Sequence, residues 1–147
     1  MNTLLGRWSA PLLREFGCRE QKDRWLHRCA PTNGVGGGPG EPPLRVGADC
    51  VRACWDGDLW ELSGLRPQSL PSNMVAMVLA RTDLRVSLEE GLSLFVIDGS
   101  SRAAMTARGP DATLAVDDFH RLGDIGGGWR MCVRVMGREG LGLIAAH

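Results

Sequence analysis

At 147 residues the chain has the length of one domain and room for a substantial core. Its 17 basic and 17 acidic residues cancel, which argues against nucleic acid as a partner held by general electrostatics. No apolar stretch approaches the roughly 18 residues of a membrane span, and the N-terminus lacks the continuous apolar segment of a secretory signal, so a membrane partner is not expected either.

In chain order, residues 1–30 come first as an N-terminal extension. Trp8, Leu12, Leu13, Phe16, Trp25 and Leu26 recur among charges in a loose helical pattern, and Pro11 suits a first turn, so one or two short helices are predicted. The arginine-and-leucine start faintly resembles a mitochondrial presequence, but Glu15, Glu20 and Asp23 oppose that reading. Residues 31–43 belong to APTNGVGGGPGEPP, nearly all turn formers, with too little apolar surface to offset the entropy of ordering. They are predicted to be a linker.

Residues 44–147 are predicted to be a β domain. LRVGADCVRACW, LWEL, NMVAMVLA, LSLFVI, DATLAV and WRMCVRVM are short apolar segments separated by glycine, proline, asparagine or aspartate. That spacing implies an all-β sandwich or barrel across about 44–137. SLEEGLSL is the one piece that reads equally well as a helical turn.

Five cysteines, at positions 18, 29, 50, 54 and 132, are an odd number without repeated spacing, which suits thiols in a reducing compartment. Cys18, His27, Cys29, Cys50 and Cys54 could be combined into a zinc site, but none forms the C-x-x-C pair that makes zinc a strong reading. The glycine clusters GVGGGPG and GDIGGGWR lack the phosphate-loop pattern and read as linker and turn.

Taken together, VGADC (46–50), LARTDL (79–84), FVIDGSSR (95–102) and LGDIGGGWRMCVRV (122–135) resemble, in order, four motifs of the trimeric dUTPase family. The resemblance implies a jelly-roll-like β-barrel and a homotrimer. It also implies that Asp98 orients the attacking water, that Arg81, Thr82 and Arg102 contact the substrate, and that Asp49 holds hydrated magnesium if the site is active. Without the family, Asp98 is an ordinary strand end, paired at most with Arg102.

Departures from the pattern bear on activity. Asp83 stands at a glycine of the family, Ser101 at its stacking tyrosine, and the chain contains no tyrosine at all. The glycine-rich C-terminal motif is also missing. These changes are similar to those of the dUTPase-like early-region proteins of adenoviruses, and they imply weak or no deoxyuridine nucleotide binding. The expected function is viral regulation through host proteins, in the host cytoplasm or nucleus. The alternatives are an active magnesium-dependent dUTP pyrophosphatase and an unrelated β-domain acting as an interaction module.

Overall fold

The computed structural model of the protein describes residues 8–29, 51–65, 72–108 and 111–135. Helices α1 (Ser9–Phe16) and α2 (Arg19–Trp25) meet at Gly17 and Cys18, and a 3-10 turn at Leu26–Arg28 follows. In α1, residues 9, 10, 12 and 13 are buried, so the helix lays one face on the rest of the molecule. α2 opens with a capping box: the Gln21 side chain accepts the Cys18 N–H at 2.9 Å, while Cys18 caps the N–H of Gln21.

One sheet follows, built from β1 (Val51–Trp55), β2 (Trp60–Leu65), β3 (Val75–Arg81), β4 (Leu92–Asp98), β5 (Thr106–Arg108), β6 (Asp111–Val116) and β7 (Arg121–Leu122). Its spatial order is β5-β6-β2-β1-β3-β4-β7. β1 and β3 run parallel and all other neighbours antiparallel, so the sheet is mixed. A short helix, α3 (Leu88–Gly91), leads into β4, and residues 128–135 form a further helix, α4.

β3 and β4 are each buried along their first six residues because both faces are covered. On one face Val75, Met77, Leu79, Leu94 and Val96 pack with Leu12, Leu13 and Trp25 of the N-terminal helices and Met131 and Cys132 of α4. On the other, Ala76, Val78, Phe95 and Ile97 meet Val51, Trp60, Leu62 and Leu114 of the same sheet. That second contact requires the sheet to curl. Trp60 on β2 reaches Phe95 on β4 across two intervening strands, edge to face, with ring centroids 5.2 Å apart.

Polar atoms fix how the helices dock. Among the described residues, β1 runs beside β3 where Val51 and Arg52 face Ala80 and Arg81. Earlier on β3 the Met77 N–H finds the fully buried Ser9 hydroxyl instead, at 2.9 Å, and Cys29 forms a parallel bridge with Val75. Gln21, almost fully buried, donates to the carbonyls of Phe119 (2.9 Å) and Arg121 (3.0 Å). Residues 8–29 therefore share the core of the sheet.

The all-β, jelly-roll-like barrel expected from the sequence is overturned: helices cover one face of a mixed, curled sheet. WRMCVRVM, expected as a strand of the β domain, is largely α4. Its consecutive residues Met131 and Cys132 are both buried while Arg130 and Arg134 are exposed, a helical rather than an alternating rhythm. The predicted linker 31–43 lies outside the described residues. Its described flanks, Cys29 and Val51, both pair with β3.

Candidate functional site

Of the residues singled out above, Asp98 is the best fixed. It closes β4, where partial burial pushes its carboxyl pKa up, but stronger hydrogen bonding pulls the net value below the usual carboxylate range. Arg28 supplies most of that pull, with two donors at 2.8 and 2.6 Å, and the Ser100 N–H and hydroxyl add donors at 2.9 and 2.8 Å. Arg28 also donates to the Asn73 carbonyl at 3.2 Å. Both carboxylate oxygens are thus engaged, and the Arg28 bonds tie the helical segment to the β3–β4 hairpin.

Arg81 lies at the other end of that hairpin. Val75 pairs with Asp98 and Arg81 pairs with Leu92, six rungs away, which at about 3.4 Å per residue puts the two roughly 20 Å apart. The Arg81 guanidinium folds onto its own loop, donating to the carbonyls of Val86 at 2.9 Å and Asp83 at 3.4 Å. Thr82 shares a 2.9 Å hydroxyl–hydroxyl bond with buried Ser93, which also accepts the Gly126 N–H at 2.8 Å. Asp83 holds Arg85 through its side chain and backbone N–H, and these bonds lower its pKa.

Arg102 sits in the 3-10 turn Gly99–Ala104, and its side chain, like all of Asp49, lies outside the described residues. Asp98 and Arg81 are therefore not brought together, and each is occupied by local structure. Sequence reasoning missed Arg28, the partner of Asp98 across 70 positions, because no spacing rule links a 3-10 turn to a distant strand end.

A groove does form elsewhere, between the helix pair and the turns before α4. It encloses about 590 Å³ against Phe16, Cys18, Gln21 and Phe119, and shares Phe16, Gly123 and Asp124 with a second hollow of about 290 Å³ beside Arg130 and Met131. Its main cation is already committed: Arg121 grips Asp118 at 2.9 and 3.1 Å and donates to the Gly123 carbonyl. Asp118 also accepts the Trp60 indole N–H at 2.8 Å, and its pKa is lowered mainly by Arg121.

Two of the thiols are sequestered, while Cys18 and Cys54 are exposed. Burial pushes Cys29 up to about 11 and Cys132 up to about 12, far from a ready thiolate. Among the described residues no cluster of three or more potential ligands could hold a metal ion. Cys50 of the proposed zinc set lies outside them.

No family model matches the chain, and no curated protein matches it. Solved structures do. The electron transferring flavoprotein of Acidaminococcus fermentans, solved in work on flavin-based electron bifurcation, is similar at 19% identity and a TM-score of 0.61, over 88% of this chain and 39% of that one. An acyl-CoA dehydrogenase from Geobacillus kaustophilus gives 19% identity and 0.58, over 93% and 40%. The ChsE4-ChsE5 complex from Mycobacterium tuberculosis gives 19% and 0.57, over 85% and 36%. The chain thus spans about two-fifths of the length of these structures.

These likenesses overturn the dUTPase resemblance, and with it viral regulation, dUTP hydrolysis, the adenoviral relationship and magnesium. The physical reason is visible in the hairpin: LARTDL and FVIDGSSR are a strand end and a strand-to-turn junction that the pairing of β3 with β4 holds apart. At such identity the comparison establishes the fold alone, and that fold is the one shared with acyl-CoA dehydrogenases and flavoproteins.

Proposed function

We propose that the chain forms the sheet domain of a flavoprotein of the acyl-CoA dehydrogenase kind, contributing one wall of a site for a flavin and an acyl thioester. The observation that carries this reading is the fold: repeated likeness to such enzymes over most of this chain, at TM-scores of 0.58 and 0.61 for two of them.

The described residues do not cradle a flavin. In the groove beside Phe16 and Phe119, Arg121 and Gln21 spend their donors on protein oxygens, and Asp118 and Asp124 face the opening. A phosphate-bearing cofactor placed there would meet carboxylates rather than free donors. The groove therefore does not by itself form a flavin site. A bound flavin would supply electron-accepting chemistry that side chains lack.

Assembly with further subunits is part of the proposal, supported by the ChsE4-ChsE5 complex among the similar structures. The copy number three rested on the dUTPase resemblance, and no other observation argues for it.

Titration of the chain with FAD and, separately, with butyryl-CoA tests the reading. Quenching of flavin fluorescence on mixing is the expected result. Indifference to both ligands at millimolar concentration would overturn it.

A further inference from the structure

The sharpest unexplained surface is the corner where β1 turns into β2. Trp55 is 47% and Leu59 39% exposed, large apolar side chains separated only by Asp56, Gly57 and Asp58. The turn between them is rigid. The Asp56 carboxylate accepts the N–H groups of Asp58 and Leu59 at 2.9 and 2.8 Å, and Gly57 takes the left-handed φ of 109° that the reversal needs.

The Trp55 ring is also held in place. It packs on Trp60 with centroids 5.2 Å apart, and Trp60 is in turn fixed by Phe95 beneath it and by Asp118 at its indole N–H. An aromatic surface presented without freedom to collapse is what a hot spot for binding requires, because little entropy is lost on contact.

The charge around this corner has one sign on its outer side. Asp56 and Asp58 flank the turn, both exposed. Beside Trp60, Asp117 and Asp118 are paired with His120 and Arg121, but the carboxylates are the outward members: 61% and 51% exposed, against 17% and 20% for their partners. A partner approaching Trp55 and Leu59 thus meets aspartates, with the balancing cations behind them.

We propose that this corner is a docking surface for a basic segment of a partner protein, in which arginines pair with Asp58 and Asp117 and stack on Trp55. The proposal stands apart from the flavoprotein reading, which rests on the fold alone.

The test uses the full chain and a fluorescein-labelled peptide of about ten alternating arginines and leucines, with a glutamate-for-arginine peptide as control, followed by fluorescence anisotropy. The arginine peptide binds and the control does not. Trp55→Ser weakens binding by about tenfold or more, the loss expected at a hot-spot aromatic. Asp58→Lys, on an exposed turn that tolerates it, weakens binding several-fold and flattens its dependence on salt. Circular dichroism shows both variants folded. Equal affinity of wild type and variants, or no binding at millimolar peptide, would overturn the proposal. So would self-association of the wild type that Trp55→Ser abolishes, since the occupant would then be a second copy of the chain.

Discussion

Arg28 and Asp98, 70 positions apart, face each other through two hydrogen bonds of 2.8 and 2.6 Å. Their side chains are 26% and 15% exposed, so the pair is neither a loose surface contact nor a dry core bridge. It fastens the end of the helical segment to the end of β4. Asp98→Asn is expected to cost about 1–3 kcal/mol, the range for hydrogen bonds to a charged group, discounted for partial solvent access.

The pair also gives a pH dependence of known sign. Because the folded-state pKa of Asp98 is depressed, its contribution is complete above the unfolded carboxylate value, about 3.9, and is lost as pH falls from there through the lower folded value. Urea unfolding at neutral pH and near pH 3 should show the Asp98→Asn deficit shrinking in acid. A deficit that is constant with pH would mean the carboxylate charge contributes nothing.

Ser9→Ala leaves the Met77 N–H buried without its acceptor. The expected loss is about 1–3 kcal/mol, the penalty for an unsatisfied buried donor, and exchange of the Met77 amide with solvent should accelerate. Hydrogen exchange read by NMR checks both the size and the place of the effect.

Gly128→Ala tests the seat of α4. An added Cβ would fall 3.0 Å from the Leu92 carbonyl oxygen and 2.8 Å from a Leu79 methyl. The methyl can move but the strand carbonyl cannot, so helix propensity, which favours alanine, should lose to the clash. Thermal unfolding is expected to show destabilisation; an unchanged or raised Tm would mean α4 can slide away from β4.

Removing residues 1–29 uncovers the face of β3 and β4 now packed on Leu12, Leu13 and Trp25, each at most 1% exposed. Losing even one such leucine costs about 2–5 kcal/mol, so the truncated chain should unfold or aggregate. A cooperative, monomeric 44–147 fragment would instead support the domain boundary drawn from composition.

How far the sequence could be read depends on which physical signal each segment carries. NMVAMVLA and LSLFVI read as strands because β-branched and apolar residues run unbroken, which is also why they are buried on two faces. SLEEGLSL, ambiguous between strand and helix, contains α3 and then β4. WRMCVRVM misled because valine and methionine alternate over a few residues, and in so short a window a helical face can mimic a strand. The curl that brings Trp60 onto Phe95 had no local signature at all.

The site was less legible for a related reason. FVIDGSSR has a strand running into an aspartate turn, a pattern common to many folds, and its match to a family depended on Arg81 being near. Pairing register, which sequence does not print, sets them at opposite ends of one hairpin.

One consequence of the β3 edge concerns tolerance to change. Cys29 and Val51 dock opposite Val75 and Ala80, five rungs or roughly 17 Å apart, so the ends of the intervening stretch are held by the sheet whatever lies between them. Chain-closure entropy grows only logarithmically, by about 0.6 kcal/mol for each doubling of length. A fluorescent or affinity module inserted between Cys29 and Val51 would thus begin and end at two anchor points fixed on β3.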